Sequence, residues 1–153
     1  MIKARLFLIC GLPGAGKTTL ARELEKKFQA IRFCPDEWMI ALAIDLYDEA
    51  RRGKVEALQW QLAQTLLARG VSVIIEWGTW GRSERDTLRL GARALGAEVE
   101  LRYLTVPVDV LYERVRQRGM EYPPIKREDL ARWADAFQAP TREEIDLFDP
   151  PLT

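Results

Sequence analysis

The stretch that decides the fold of this chain is Gly11-Leu12-Pro13-Gly14-Ala15-Gly16-Lys17-Thr18. It matches the pattern G-x-x-x-x-G-K-[ST], in which a glycine-rich loop joins a buried strand to a helix. Both flanks agree with that context. An apolar run precedes the loop, and Leu20, Leu24 and Phe28 recur at helical spacing after it. The sequence therefore predicts a strand over 5–10, a loop, and a helix over 17–29.

The loop has the chemistry of a phosphate site. Its glycines permit positive φ and a close approach to a ligand, and its N–H groups can turn inward around an anion at the positive end of the helix dipole. In this pattern Lys17 reaches the β- and γ-phosphates, and the Thr18 hydroxyl binds Mg²⁺. The alternative is a chance glycine turn, which the motif and its flanks disfavour. The expected nucleotide contacts in the loop are Gly11, Leu12, Pro13, Gly14, Ala15, Gly16, Lys17, Thr18 and Thr19.

Composition excludes several classes of protein. The 153 residues fit a single domain, 1–153, and their net charge of zero gives no global field that favours nucleic acid or an anionic membrane. The absence of histidine excludes Ser-His-Asp and Cys-His mechanisms and most zinc sites. No apolar run approaches the roughly 20 residues that span a bilayer. Cys10 and Cys34 end apolar runs, so we expect reduced core cysteines in a cytoplasmic protein.

The rest of the chain alternates strands with helices. Further strands are predicted over 30–34, 71–75 and 99–105. Helices are predicted over 38–47, over 48–69 with Gly53 as a candidate break, over 83–95 with Ser83 as its cap, over 109–118 with Asp109 as a candidate cap, and over 128–138. Alternation of this kind indicates a parallel sheet covered by helices on both faces.

Ligands of such sheets bind at the carboxyl ends of the strands. By sequence position four features lie at that edge: the glycine loop, Asp36-Glu37, the segment 76–82, and the residues after Val106. We therefore expect them to form one site.

Several of these segments resemble a known group of proteins. They are Asp36-Glu37-Trp38, Glu76-Trp77-Gly78-Thr79-Trp80, Ser83-Glu84-Arg85-Asp86, residues 103–107, residues 114–118 and residues 137–144. Together with the glycine loop they are similar to the small P-loop kinases related to zeta toxins, chloramphenicol phosphotransferase and the polynucleotide kinase domain, often labelled AAA-type ATP-binding proteins. The resemblance covers nearly the whole chain.

The resemblance implies a three-layer α/β fold with sheet order 2-3-1-4, usually followed by a fifth strand, and it implies ATP as the nucleotide. The chain departs from the group in two respects. Its end at Thr153 leaves little room for a fifth strand, which is expected to be short or missing. Glu76 also stands where the group has Asp, so it is expected to act on Mg²⁺ through a bound water more than as a direct ligand.

Two acidic positions are candidates for acceptor chemistry. By resemblance, Asp36 matches the catalytic aspartate that takes the proton of the acceptor hydroxyl. The alternative for Asp36 is a helix N-cap after Pro35, and Glu37 is the second candidate base. Glu76, at the end of a buried strand, is expected to orient a metal-bound water or hold the acceptor, with a solvated carboxylate as the alternative.

Aromatic and basic residues near these strand ends are candidates for acceptor binding. Trp38, Trp77 and Trp80 are expected to line an acceptor pocket, with core packing as the alternative, whereas Trp60 and Trp133 are assigned to the core. Arg82 and Arg85 are expected to bind an anionic acceptor or a phosphate, and the alternative is ion pairing with Glu84 or Asp86.

The segment 119–128 corresponds to the mobile lid of related kinases. Arg118 is expected to stabilise the transferred charge or cover the adenine, and Arg114, four residues earlier on the same helix face, is the second candidate. Lys126 and Arg127 are expected lid contacts. The alternative for each is a solvated helix face.

The sequence supports three functional hypotheses. The first is an ATP- and Mg²⁺-dependent kinase that phosphorylates a hydroxyl of a small molecule. The second is a nucleotide-binding NTPase switch that regulates a partner protein, which a structure without a cavity beside Asp36 would favour. The third is a 5′-hydroxyl polynucleotide kinase, which needs a basic channel to Asp36 that the balanced charge does not favour. No N-K-x-D motif reads the base, so the choice of ATP over GTP rests on the resemblance.

Overall fold

In a computed structural model that describes residues 3–152, the chain forms one parallel sheet of four strands, β1 (Arg5–Cys10), β2 (Ile31–Phe33), β3 (Val73–Gly78) and β4 (Glu98–Tyr103). Their order is β2-β3-β1-β4, which confirms the predicted order 2-3-1-4. Leu6 of β1 pairs with Val73 on one side and Val99 on the other. The central position of β1 explains its sequence, because a parallel strand covered on both faces is apolar throughout.

Seven helices join and follow the strands of the described chain. They are α1 (Lys17–Phe28), α2 (Pro35–Ala41), α3 (Glu49–Ala68), α4 (Arg82–Ala94), α5 (Val108–Arg118), α6 (Arg127–Ala136) and α7 (Arg142–Ile145). None of the helices described is both long and apolar enough to span a membrane.

The sheet separates two apolar clusters, so the molecule has three layers. On one face Leu6 and Leu8 pack with side chains of α3 and α4. On the other face Phe7 and Ile9 pack against α1. This alternation along β1 follows from the period of two in a strand. A third cluster joins the glycine loop to α5 and α6.

Two helix starts differ from prediction. Helix α4 begins at Arg82 with Gly81 as its N-cap, so Ser83 lies in the first turn and does not cap. The carboxylate of Asp86 accepts hydrogen bonds from Arg82 and Arg89 and does not complete a capping box.

The N-cap of α5 is Pro107, so the predicted cap Asp109 lies in the first turn of that helix. Asp109 instead accepts a hydrogen bond of 2.7 Å from Arg127. Helix α3 runs through Gly53 without a break. After Gly53, the residues Val55, Gln59 and Ala63 follow at four-residue spacing and are buried, so packing of this face stabilises the helix.

The C-terminal segment covers the edge of β4 where a fifth strand would pair. The backbone N–H of Asp149 donates to the Val99 carbonyl at 2.8 Å, and the Val99 N–H donates to the Asp149 carboxylate at 2.7 Å. Arg5 donates to the Pro150 carbonyl at 3.2 Å. Residues 3–152 contain no fifth strand, and one backbone bond, one bond to the Asp149 carboxylate and the tail that carries Pro150 cover that edge instead.

Both cysteines are buried and unpaired with each other, as expected for core thiols. Burial raises the pKa of Cys34 to about 12, so its thiol stays protonated at neutral pH.

Candidate functional site

The glycine loop folds as an anion cradle. Gly14 and Gly16 have φ of 86° and 101°, and Gly16 is the N-cap of α1 with no side chain bonded to the helix end. A Cβ on Gly11 would lie 2.8 Å from the Leu104 carbonyl oxygen, and one on Gly14 would lie 2.9 Å from the Leu111 carbonyl oxygen. The backbone comes so close to these carbonyl oxygens that both positions require glycine. The N–H groups at the start of α1 have no side-chain cap and fit a phosphate chain.

Lys17 lies across this loop. Its Nζ donates to the carbonyl oxygens of Gly11 and Leu12, each at 3.0 Å. Burial lowers the pKa of the Lys17 ammonium to about 8, although the Glu76 and Asp36 carboxylates oppose that effect. At neutral pH the amine is still mainly protonated, so it supplies a positive charge where phosphate oxygens would bind.

Thr18 and Glu76 form a pair with the chemistry of a magnesium site. The Thr18 hydroxyl donates to one Glu76 oxygen at 2.6 Å, and Arg32 donates to the other at 3.1 Å. Magnesium in phosphate sites is commonly held by one or two carboxylates together with substrate phosphates, and a hydroxyl beside a buried carboxylate fits that pattern. Within residues 3–152 no group of three or more His, Cys, Asp or Glu side chains is placed to hold a metal ion.

Asp36 projects from the first turn of α2 into the site. Cys34, not Asp36, is the N-cap of α2, so the N-cap alternative is wrong. Arg52 of α3 donates to Asp36 Oδ1 at 2.7 Å. Glu37 instead pairs with Arg32 at 2.7 Å and with Arg22 at 3.4 Å.

These residues line one cleft with a volume of about 930 Å³. Its loop end, as we name it, includes Gly14, Gly16, Lys17, Thr18, Arg114 and Arg118. Its distal end includes the polar residues Glu49, Arg52, Glu56, Thr79 and Glu84, and the aromatic residues Tyr47 and Trp77. Trp80 and Trp133 line the cleft where it meets the glycine loop, α5 and α6. Asp36 stands between the two ends, since its charge acts on Lys17 at one end and on Glu56 at the other.

The division of the tryptophans between cleft and core differs from the prediction. Trp77 and Trp80 line the cleft, and the Trp77 Nε1–H donates to Gln59 Oε1 at 2.9 Å. Trp38 is instead packed against Phe33, with ring centroids 6.2 Å apart. Trp133, assigned to the core from sequence, reaches the cleft beside Trp80, and Trp60 packs on the core as expected.

Arg82 and Arg85 do not line the cleft, which corrects the expectation that they meet an anionic ligand there. Arg85 is fully buried, and its guanidinium donates to both Glu144 oxygens, at 2.6 and 2.9 Å, and to the Thr79 carbonyl at 2.8 Å. Arg82 pairs with Asp86 at 3.3 Å. Arg85 therefore holds the loop after β3 through the Thr79 carbonyl, whereas the Arg82 side chain pairs within α4.

The two arginines of α5 do reach the loop end. Arg114 donates to the Gly14 carbonyl at 3.0 Å, and Arg118 pairs with Glu121 at 2.6 Å. The segment predicted as a lid follows directly, and Tyr47 donates to the Pro123 carbonyl at 2.6 Å, so this segment contacts the opposite wall of the cleft.

Lys126 and Arg127, the other expected lid contacts, lie away from the cleft lining. Lys126 is the N-cap of α6, and Arg127 pairs with Asp109 at 2.7 Å. Motion of the segment 119–128 remains a prediction.

Sequence analysis missed two arginines that hold the acidic groups of the site. Arg32 bridges Glu76, Glu37 and Glu25, and Arg52 binds Asp36. The sequence did contain a signal for Arg32, because a single charged residue in the middle of an apolar strand indicates a specific partner. Arg52 had none, since its partner lies 16 residues away on another helix.

Solved structures with the same fold include several proteins of low sequence identity. A gluconokinase from Sinorhizobium meliloti 1021 has a TM-score of 0.62 and 20% identity, over 92% of this chain and 78% of that one. Chaetomium thermophilum Kti12 in complex with ADP-AlF3 has a TM-score of 0.71 and 19% identity, over 95% and 86%. A chain of the Pnkp1/Rnl/Hen1 RNA repair complex has a TM-score of 0.73 and 18% identity, over 97% of this chain and only 47% of that one.

No curated protein matches the chain in sequence. A family model described as an AAA domain, however, matches residues 6–140, which confirms the resemblance to AAA-type proteins with a P-loop kinase-like fold. The chain belongs to this AAA domain family.

Proposed function

We propose that this protein is an ATP- and Mg²⁺-dependent phosphotransferase that acts on a hydroxyl of a small molecule. One observation carries the proposal: the cleft continues from the glycine loop past Asp36 into a distal end lined by Tyr47 and Trp77. A site that only hydrolyses a nucleotide needs room for water beside the terminal phosphate. A distal end with aromatic walls fits a second substrate better.

The loop end would hold the phosphate donor. The N–H groups at the start of α1 and the Lys17 ammonium face the place of the β- and γ-phosphates, and Arg118 adds positive charge at the same end. Thr18 and Glu76 would hold Mg²⁺, which when bound neutralises charge on the phosphate oxygens. Glu76 is itself kept in place by Arg32.

The distal end would hold the acceptor with one hydroxyl directed at Asp36. In the transfer, the acceptor oxygen forms a bond to the γ-phosphorus while the bond from that phosphorus to the β,γ-bridging oxygen breaks. ADP leaves, and the hydroxyl proton passes to the Asp36 carboxylate. Arg52, at 2.7 Å from Asp36 Oδ1, orients this carboxylate between the two ends.

The other two hypotheses receive less support. A switch that lacks a second substrate does not need a cavity beside Asp36, and this cleft has one. A polynucleotide kinase needs positive charge on the path to Asp36, whereas the distal end carries Glu49, Glu56 and Glu84.

The direct test is a transfer assay with γ-labelled ATP, and in parallel GTP, against a panel of sugars, polyols, nucleosides and hydroxylated antibiotics. We expect label in one acceptor class, with Mg²⁺ required. An Asp36→Asn variant that still binds nucleotide serves as the control for enzymatic transfer. Tight binding of ATP with slow hydrolysis and no labelled acceptor would contradict the proposal and favour the switch.

A further inference from the structure

The two ends of the cleft differ in charge. The loop end has Lys17, Arg114 and Arg118, which suit a triphosphate. The distal end has the carboxylates of Glu49, Glu56 and Glu84, and Asp36 adds a fourth where the two ends meet. In the described chain a single basic residue, Arg52, lines the distal end. A neutral or anionic acceptor gives no reason for that excess of carboxylates.

Arg52 offsets only part of the negative charge of the distal end, because its guanidinium is bonded to groups other than Glu56 and Glu84. It donates to Asp36 at 2.7 Å and to the Leu46 carbonyl at 2.8 Å, and its Nε lies 3.8 Å from Glu49. Among residues 3–152, Glu56 and Glu84 have no hydrogen-bond or ion-pair partner. Other charged groups act on them only at longer range. These two carboxylates are therefore left for a ligand.

Without such a ligand, keeping the two buried glutamates ionised costs free energy. Both are half-buried in the cleft wall, Glu56 from α3 and Glu84 from the first turn of α4. Burial raises the pKa of Glu56 to about 7, the Glu84 carboxylate adds to that rise, and the Arg52 guanidinium only partly opposes it. Burial also raises the pKa of Glu84. Two desolvated like charges in one pocket are relieved by a bound cation.

A second and independent observation also indicates a ligand in this cleft. Thr79 lines it with only 1% of its surface exposed, and its hydroxyl has no hydrogen-bond partner among the described residues. Arg85 donates to the Thr79 carbonyl at 2.8 Å and holds the residue in the cleft wall. A buried hydroxyl that is left unpaired is matched by a polar group that the protein itself does not supply.

The aromatic wall suits the same ligand. Gln59, which is fully buried, fixes the Trp77 ring through the 2.9 Å bond to its Nε1. Trp80 and Trp133, which pack against each other with centroids 5.9 Å apart, line the same cleft nearer the glycine loop. Rings beside carboxylates are a recurrent way to bind organic ammonium groups.

We infer that the acceptor is a hydroxylated amine whose ammonium group binds between Glu56 and Glu84 while one of its hydroxyls meets Asp36. The inference rests on the proposed function for the identity of the site, and it deepens that function by naming the substrate class. Carboxylated acceptors, such as the sugar acid that the name gluconokinase specifies for one structural neighbour, would meet like charge here.

The test uses three probes with the same six-carbon polyol chain: glucamine, sorbitol and gluconate, which are cationic, neutral and anionic at about pH 7.5. Binding to the full chain is measured by calorimetry, and label transfer from ATP to each probe is followed in parallel. We expect glucamine to bind at least about tenfold more tightly than sorbitol, and gluconate most weakly, because a charge-assisted bond to buried carboxylates favours the amine.

The double variant Glu56→Gln with Glu84→Gln keeps the shape of the pocket and removes its charge. It should reduce the preference for glucamine over sorbitol to about twofold or less and leave ATP affinity unchanged. Glu56→Gln alone should give an intermediate preference, and Glu23→Gln on the exposed face of α1 should keep the full preference. Thermal unfolding of each variant checks that it is folded.

The two readouts separate the two proposals. If glucamine binds no more tightly than sorbitol, or if the double variant keeps the preference, the inference is overturned. Preferential transfer to sorbitol or gluconate would overturn it too, while upholding the phosphotransferase. Preferential, glutamate-dependent binding of glucamine without transfer to any probe would support the ammonium-binding pocket and count against the phosphotransferase.

Discussion

The loop end and the distal end of the cleft are built in different ways. At the loop end the binding groups are mostly backbone N–H groups of one continuous segment, 11–19, held by glycines with positive φ. At the distal end they are side chains that β3, α3 and α4 bring together. A site made of backbone depends on local conformation and tolerates variation around it. A site made of side chains depends on how helices pack, so it can change its ligand without changing the fold.

Replacement of Lys17 should show the largest effect, because it breaks the loop end. Lys17→Ala removes an ammonium with two hydrogen bonds to the loop and a place beside the phosphates. We expect kcat/KM for phosphate transfer to fall by about 10³-fold, as when a positioned charge donor is lost. The measurement is steady-state transfer to the best acceptor.

Lys26→Ala, in the exposed last turn of the same helix, is the matched control and should keep its activity. Equal transfer by Lys17→Ala and the unaltered protein would mean that phosphates do not bind in this loop.

Asp36→Asn should give the next largest effect, at the junction of the two ends. The amide can still accept a bond from Arg52, which lies 2.7 Å away in the present structure, but it cannot take the acceptor proton. We expect kcat to fall by about 10²-fold, near the low end for loss of a general base, because a loose phosphoryl-transfer transition state needs little proton removal.

Nucleotide affinity, measured in a separate binding titration, should hardly change in Asp36→Asn. Asp146→Asn on the exposed surface is the control. A loss of nucleotide affinity equal to the loss of kcat would instead assign Asp36 to the loop end.

The contrast between the ends also explains what the sequence could reveal. The strand order and the glycine loop follow from local patterns and from the resemblance, so both were predictable. Arg85 was misassigned because only the fold shows that Glu144, 59 residues later, buries and neutralises it. Trp38 was expected in the pocket and packs on the core, whereas Trp133 was expected in the core and lines the cleft. The sequence of a helix does not show whether the face that carries a tryptophan meets the core or a cleft.

Glu76→Gln tests whether the acidic group behind the loop serves the metal. We expect the Mg²⁺ concentration for half-maximal transfer to rise about tenfold, which is typical when an outer partner of a metal ligand is lost. Glu25→Gln is a close control, because Glu25 pairs with the same arginine, Arg32, at 3.1 Å but lies at the surface.

If both variants raise the Mg²⁺ requirement equally, the effect comes from Arg32 and not from a carboxylate near the metal. An unchanged requirement in both would remove Glu76 from the magnesium site.

The pH dependence of nucleotide binding gives a smaller effect at the loop end. The pKa of Lys17 is lowered to about 8 by burial, so the amine of the empty site loses its proton as pH rises from 7 to 9. Only the protonated amine attracts phosphate, and affinity for ATP should therefore fall over this range. The fall should stay within about tenfold, because pH 9 lies only about one unit above this pKa and about a tenth of the empty sites still carry the proton.

Lys17→Arg supplies the comparison, since a guanidinium keeps its proton throughout this range. Its affinity for ATP, titrated at each pH, should show a flatter profile. The same slope in both proteins would assign the pH dependence to another group.

The smallest expected effect concerns the backbone that carries the distal end. Helix α3 passes through Gly53 and brings Arg52 and Glu56 to the cleft. A Cβ on Gly53 or on Gly70 would meet nothing within 4 Å, but only Gly70 has a positive φ, 82°. Gly53→Ala should therefore stabilise the protein by about 1 kcal/mol, the helix preference of alanine over glycine. Gly70→Ala should destabilise it by about 1 kcal/mol, the cost of a left-handed residue. Chemical denaturation measures the free energy of unfolding of both variants. A loss of stability in Gly53→Ala would show that α3 bends at this residue. The distal end would then be less rigid than its hydrogen bonds indicate.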